Sequence, residues 1–206
     1  RPPAPVTVAR AVAQDVPVYI DAVGKTVARE VVSVQPQVSG RITQIHFTDG
    51  ANVKIGDLLF TIDPRPYQAQ LNQAEANVAQ AEAALSLAKV NFARVEKVSD
   101  PRAVSRQDFD ARKSAVETAE ATLKQNRAAV ENARLNLEYC TIRSPINGRA
   151  GQRAVDVGNV VSANNGSLLV IQRLDPIYAD FTVTESELSG VQRNMAKQAL
   201  KVEVRL

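Results

Sequence analysis

The sequence contains one cysteine, Cys140, one histidine, His46, and no tryptophan among 206 residues. A lone cysteine excludes an intrachain disulfide framework and offers no CxxC spacing for a metal. Neither a zinc site nor a catalytic triad has the residues that it needs. We therefore predict no catalytic residues, no cofactor-binding residues and no metal ligands. Cys140 is expected to be a small packed side chain, and His46 a structural or surface residue.

Aromatic residues make up only 4% of the chain, and much of its apolar 45% is alanine. No thick core of bulky side chains can be assembled from this composition, so we expect an elongated protein of thin modules. No apolar run approaches the roughly 20 residues that a membrane helix needs. Residues 1 to 5, Arg-Pro-Pro-Ala-Pro, are typical of a linker, so we expect that an upstream segment was cleaved or trimmed and that any targeting segment or lipid anchor was lost with it.

The chain also lacks a concentrated patch of one charge. Its 25 basic residues lie among 22 acidic ones, for a net charge of +3. Nucleic-acid-binding proteins gather their lysines and arginines on one face or along one helix. The interspersed charges argue against a nucleic-acid partner.

The middle of the chain predicts a long helical hairpin. From Tyr67 onward apolar residues recur at alternating intervals of four and three, and a second apolar series begins at Phe109. That spacing is the heptad pattern of a coiled coil. The segments 67–98 and 106–138 contain neither glycine nor proline. A short link between them forces the two helices to run antiparallel.

The link itself carries signals for a helix end and a helix start. Pro101 is expected to stop the first helix, and Ser105 with Asp108 resembles a capping box that opens the second. Periodicity alone leaves a dimerisation coiled coil or a plain spacer as open alternatives.

The segments on either side of the hairpin repeat one pattern. In residues 34–63 and again in 142–171, a glycine is followed ten residues later by a second glycine and then by short apolar strands. Such strands cannot bury their faces alone, so the halves are expected to fold against each other as a β-sandwich. The hairpin is then an insertion between them. The repeated glycines are Gly40, Gly50, Gly148 and Gly158.

Both ends of the chain carry further strand-like runs, at residues 6–12, 16–23, 177–183 and 202–206. Residues 184–187 form a capping box that predicts a short helix. Strands from both ends plus one helix suggest a partial β-barrel. The predicted fold class is α+β, with an antiparallel coiled-coil hairpin inserted in a β-sandwich and a partial β-barrel beside it.

Three stretches carry a family resemblance, namely Gln37-Val38-Ser39-Gly40-Arg41-Ile42, Ile142-Arg143-Ser144-Pro145-Ile146-Asn147-Gly148-Arg149 and Leu174-Asp175-Pro176-Ile177-Tyr178-Ala179-Asp180-Phe181. They resemble the membrane fusion protein (HlyD-like) family, in the branch that serves resistance-nodulation-division (RND) efflux pumps. The resemblance implies a lipoyl/biotinyl-like sandwich at 34–63 and 142–173, and a hairpin at 64–141 with its tip at 99–105. It also implies a partial barrel, incomplete at its C-terminal side, at 1–33 and 174–206.

The resemblance implies a periplasmic adaptor without catalysis. Such a protein joins an inner-membrane, proton-driven RND transporter to a TolC-type outer-membrane channel and serves the export of drugs or small molecules. Its copies are expected to form a ring, a hexamer or a trimer of dimers, attached to the inner membrane by an upstream segment.

At the tip, Arg94, Val98 and Ser105 match the family's Arg-x3-Leu-x6-Ser motif, with valine in place of leucine. The resemblance implies that these residues contact the channel. The alternative is a solvated arginine, the end of the apolar seam and a helix cap.

Two other functions stay open. One is an adaptor for an ATP-driven exporter or a type I secretion system. The other is a biotin or lipoyl carrier domain, which is disfavoured because the hairpin replaces the turn that displays the modified lysine, while Lys54 lies elsewhere.

Overall fold

The structure is a computed structural model and describes residues 3–4, 7–14, 16, 18–97 and 105–205. The chain divides into two compact units, one of Arg1–Val27 with Ile177–Leu206 and one of Ala28–Pro176. The elements are β1 (Gly24–Val34), β2 (Gly40–Ile45), β3 (Asn52–Val53), β4 (Leu58–Ile62), α1 (Arg65–Glu96), α2 (Arg106–Glu138), β5 (Thr141–Arg143), β6 (Gly148–Ala150), β7 (Val160–Val161), β8 (Leu169–Phe181) and α3 (Glu185–Met195).

The strands form two four-stranded sheets, with the orders β1-β8-β6-β3 and β5-β4-β2-β7. Strand β2 pairs antiparallel with β4 from its own half and with β7 from the other half. Strand β3 likewise pairs with β6 from the other half. Each sheet therefore mixes strands of both halves, which confirms that the repeated segments fold against each other with the hairpin inserted between β4 and β5.

The two halves close each other's turns with equivalent hydrogen bonds. The Ser39 hydroxyl oxygen accepts from the backbone N–H of Ala163 at 2.8 Å. The Asn147 side-chain oxygen accepts from the backbone N–H of Ile55 at 2.7 Å. Donors and acceptors of the two bonds stand 108 positions apart in the sequence. The sequence repeat is therefore accompanied by an approximate twofold symmetry of the hydrogen bonds.

The same symmetry sets the backbone of the turns. Gly50 and Gly158, which are equivalent, have φ angles of 78° and 97°. Gly56 has φ 86°, and its counterpart Asn164 has φ 55°. Glycine enters this left-handed region without steric cost, and asparagine is among the residues that tolerate it best.

The core between the sheets is small and aliphatic. Ile42, Phe60, Ile62 and Ile171 are fully buried, and the Phe47 ring meets the Phe60 ring edge-on at 5.3 Å between centroids. Fully burying one such side chain contributes about 1.5–3 kcal/mol. A few large residues, contributed by both halves, therefore stabilise the sandwich.

Cys140 belongs to this core, with only 1% of its surface exposed. Its thiol donates to the backbone oxygen of Asn136 at 3.4 Å. Burial, with a smaller contribution from the Asp63 carboxylate, raises the pKa of the Cys140 thiol to about 11. Because the thiolate is the reactive form, the side chain is an inert packing group at neutral pH.

Several predictions for the chain ends were wrong. The described residues of the runs 6–12, 16–23 and 202–206 contain no strand, and β1 begins at Gly24. Alternating apolar residues favour a strand only where a neighbouring strand can pair with them. Residues 177–181 do lie in a strand, as part of β8.

The short helix α3 begins as predicted but is capped differently. Thr184 is its N-cap residue, and its hydroxyl donates to the Glu187 carboxylate at 3.0 Å. The side chains of the capping box therefore contact each other, and no cap bond from the Thr184 side chain to the backbone is found in α3.

We predict that Gly148→Ala destabilises the sandwich. An added Cβ would lie 2.6 Å from the backbone oxygen of Gln172 in the neighbouring strand. Relieving such an overlap costs about 1–3 kcal/mol, measurable by chemical denaturation. Gly190→Ala is the control, because its Cβ has open space within α3. Equal stability of Gly148→Ala and the parent would contradict the close approach.

We also predict that Cys140 resists alkylation in the folded protein. With its pKa raised from 9.0 to about 11, the thiolate fraction at pH 8 falls about a hundredfold relative to the unfolded chain. Labelling kinetics with and without denaturant measure the difference. Val157→Cys in a Cys140→Ala background provides an exposed thiol for comparison. Similar rates for Cys140 in the folded and unfolded states would refute the prediction.

Candidate functional site

The hairpin starts at a compact junction with strand β4. The Asp63 carboxylate accepts from the Arg65 backbone at 3.1 Å and from its guanidinium at 2.6 Å. The hydrogen bonds from Arg65 lower the pKa of Asp63 to about 2. Pro66 lies in the first turn of α1, where no helical N–H is lost. These contacts set the direction in which α1 leaves the sheet.

The two ends of the hairpin are also tied to the sandwich. The Tyr67 hydroxyl donates to the backbone oxygen of Ser39 at 2.6 Å. The Ile62 N–H donates to the backbone oxygen of Cys140 at 2.8 Å, which joins the entry and the exit of the hairpin. The insertion therefore leaves the sandwich from two adjacent points.

Helices α1 and α2 pack along the predicted seams. The buried residues of the seams are mostly alanines and branched aliphatics, which let the two backbones approach closely. They are Leu71, Ala74 and Ala81 on α1, and Leu123, Val130 and Ala133 on α2. All six belong to the heptad positions read from the sequence.

Polar contacts define the pairing of the helices. Asn126, a polar residue within the second seam, donates from its side-chain nitrogen to the backbone oxygen of Asn77 at 3.2 Å. A single asparagine in a coiled-coil core costs stability but specifies register, because other alignments leave its amide unpaired. This contact therefore fixes how α1 and α2 align.

Two ion pairs cross between the helices. Glu82 pairs with Arg127 at 2.8 Å, and Lys89 pairs with Glu120 at 2.9 Å. Their members stand seven residues apart on each helix, so both pairs lie on one flank of the hairpin. Exposed ion pairs contribute only about 0.2–1 kcal/mol each, but opposite signs at each crossing disfavour a heptad slip.

The motif residues approach the tip from both helices. Arg94 lies exposed in the last turn of α1. Ser105 is the N-cap of α2, and its hydroxyl oxygen accepts from the N–H of Gln107 at 3.3 Å. Val98 and the predicted helix stop at Pro101 lie outside the described residues. The capping role of Ser105 is thus confirmed, and its O–H group is still able to donate to another molecule.

One contact near the tip was not predicted from the sequence. The rings of Phe92 and Phe109 approach to 5.3 Å between centroids at an angle of 54°. Each phenylalanine was recognised as a seam residue. The sequence signal for their contact was position, because each phenylalanine stands where its seam approaches the link.

The remaining singled-out side chains do not form a chemical site. His46 is exposed, and its Nε2 lies 2.9 Å from the Thr61 hydroxyl oxygen. Within the described part of the chain, no three His, Cys, Asp or Glu side chains gather as metal ligands. None of its helices is both long and apolar enough to cross a lipid bilayer.

The amino-acid sequence is similar to those of known multidrug resistance proteins. The chain is 39% identical over 207 residues to the multidrug resistance protein MdtA of Yersinia enterocolitica serotype O:8 / biotype 1B, covering 98% of this chain and 47% of that protein. MdtA of Yersinia pestis (strain Pestoides F) is 38% identical over 200 residues, covering 95% and 45%. The chain therefore spans about half the length of these relatives.

Solved structures resemble the chain as well. A MacA-MexA chimeric protein with the Pseudomonas aeruginosa MexA α-hairpin domain is 30% identical, with a TM-score of 0.63, and covers 81% of this chain and 55% of that one. MacA from Actinobacillus actinomycetemcomitans is 27% identical, with a TM-score of 0.55, and covers 81% and 56%. Residues 30–173 match the family model described as RND MFP, barrel-sandwich hybrid domain. The chain therefore belongs to the RND membrane fusion protein family.

Proposed function

We propose that this protein is the periplasmic adaptor of a tripartite efflux pump. It bridges a proton-driven RND transporter of the inner membrane and a TolC-type channel of the outer membrane, for the export of drugs or small molecules. The observation that carries the proposal is the antiparallel hairpin inserted between the two halves of one sandwich. The multidrug resistance proteins to which the chain is similar support the same role.

The hairpin has the properties of a spacer across an aqueous gap. Helix α1 contains 32 residues, which corresponds to about 48 Å at about 1.5 Å per residue. Outside the seam its surface consists mainly of Gln, Asn, Glu, Lys, Arg and Ala, with Leu87 and Val90 as exposed apolar exceptions. Such a surface stands in water without a further protein layer. Anchored at its base, the hairpin can hold a contact at a distance from the sandwich.

The tip is the proposed contact with the channel. Arg94 is exposed on α1, and Ser105 is exposed at the start of α2. A guanidinium presents five N–H donors to backbone or carboxylate oxygens at the ends of the partner's helices, and a serine hydroxyl adds one more. We include Val98 as the apolar member of this contact, on the basis of the sequence motif.

The rest of the proposal follows from the family. Residues 64–141 form the hairpin domain, residues 34–63 with 142–173 the lipoyl-like domain, and residues 1–33 with 174–206 part of a barrel domain. Several copies form a ring in the periplasm, attached to the inner membrane by a segment upstream of this chain. The adaptor performs no catalysis. The raised pKa of Cys140 and the exposed position of His46 are in keeping with that role.

Cross-linking in cells tests the orientation of the hairpin. We expect Arg94→Cys and Ser105→Cys in the full-length protein to capture the outer-membrane channel. Ile55→Cys serves as the control, because Ile55 is 66% exposed in the turn before β4, whereas α1 follows the other end of that strand. Capture from Ile55 and not from the tip would show that the proposed polarity is reversed.

Substitution of the tip arginine tests the contact itself. Arg94→Ala is expected to weaken channel association by about tenfold or more, as for a central interface arginine, and to lower drug resistance accordingly. Arg134→Ala is the matched control, because Arg134 is an exposed arginine of the hairpin whose ion pair is with Glu131 of the same helix. Co-purification of the channel measures the effect. Equal losses from both variants would mean that Arg94 makes no specific contact.

A further inference from the structure

The hairpin is packed unevenly along its length. Its buried residues on α1 end at Ala81, and those on α2 begin at Leu123. Between these points and the tip, no residue within the described segments 82–97 and 105–122 is buried. Roughly 25 Å of each helix, at about 1.5 Å per residue, therefore lies beyond the tightly packed seam.

Among the ion pairs, hydrogen bonds and ring contacts of the described residues, two join the helices in this outer part. Lys89 and Glu120 form an ion pair at 2.9 Å, in which both side chains are about half exposed. Phe92 and Phe109 bring their rings to 5.3 Å. Of the hydrogen bonds, ion pairs and ring contacts between α1 and α2 in the described residues, the ring contact lies closest to the tip.

The ring contact is also the stronger candidate for holding the outer helices together. An exposed ion pair gains little in water and is screened by salt. A tilted aromatic pair adds a directional attraction to the burial of two large apolar side chains. Phe109 nevertheless is 38% exposed. The Phe109 ring therefore keeps part of its apolar surface in water even though it contacts Phe92.

We infer that Phe92 and Phe109 form an aromatic clasp that positions the hairpin tip. Phe92 lies two residues before Arg94, and Phe109 lies four residues after Ser105. A helix is stiff over such short distances, so the separation of the two rings sets the separation of the two motif residues. Without the clasp the outer helices splay, and Arg94 and Ser105 no longer meet one partner together.

The inference deepens the proposed function and rests on it for its biological meaning. The conformational part does not need a partner and is tested separately. A contact surface that must be ordered at the moment of binding loses affinity in proportion to the fraction of molecules in which it is correctly formed. The clasp therefore acts on channel association without contacting the channel.

Distances between spin labels test the clasp in the purified full-length protein. The labels are placed at exposed positions, in a Cys140→Ala background. Glu96→Cys with Asp110→Cys reports on the outer part, and Ala76→Cys with Ala129→Cys reports on the inner part. We expect one narrow distance distribution for each pair in the parent. In Phe109→Ala the outer distribution broadens and shifts to longer distances, while the inner one is unchanged.

Two further variants distinguish the clasp from a general loss of packing. Leu87→Ala removes an apolar side chain that is 63% exposed on α1, and both distributions are expected to stay narrow. Phe109→Tyr keeps the ring and is expected to keep the parent distances. A narrow outer distribution in Phe109→Ala would overturn the clasp. Broadening of the inner pair as well would also overturn it, because the whole hairpin would then have loosened.

Cross-linking to the channel tests the positioning role. If about one molecule in ten retains the correct tip, Phe109→Ala lowers capture by Ser105→Cys about tenfold, whereas Leu87→Ala leaves it unchanged. Unchanged capture despite broadened distances would overturn the positioning role and leave the proposed function intact. Absence of capture in the parent, with the channel captured elsewhere on the protein, would overturn the proposed tip contact and the positioning role with it.

Discussion

The sandwich depends on hydrogen bonds that each half of the chain supplies to the other. Several of its strands are short, down to two residues in β3 and β7, and such strands leave many backbone groups without partners in their own half. Ser39 and Asn147 satisfy turn N–H groups across the repeat. Gly148 lets a neighbouring strand approach where a Cβ would collide with a backbone oxygen. Neither half can therefore fold to this structure alone.

That mutual dependence makes the hairpin insertion possible. Closing the halves on each other brings Ile62 and Cys140 into one backbone hydrogen bond, although the whole hairpin separates them in the chain. Two helices that start from adjacent points need only a matched seam to run together. The seam is tight near the sandwich and loosens outward. The protein thus combines a rigid base with a tip whose geometry depends on few side chains.

The chemistry of the molecule agrees with a role in assembly. Asp63 and Arg65 fix the start of α1, and Cys140 is a packed thiol with a raised pKa. Two ion pairs, Glu82–Arg127 and Lys89–Glu120, connect the helices along one flank of the hairpin. The shifted pKa values of Asp63 and Cys140 therefore have structural explanations. Asp63 lies where the chain turns from strand to helix, and Cys140 fills space in the core.

By itself the sequence determined the hairpin, its seams, the N-cap at Ser105 and the repeated halves, because heptad spacing, capping and glycine turns are local patterns that survive in any context. It misassigned the described residues of the runs 6–12, 16–23 and 202–206, because a strand forms only against another strand. It also did not show which side chains meet. Only the tertiary structure brought Asn126 to Asn77 and Phe92 to Phe109, because the alignment of α1 with α2 depends on how the closed sandwich holds both ends of the hairpin.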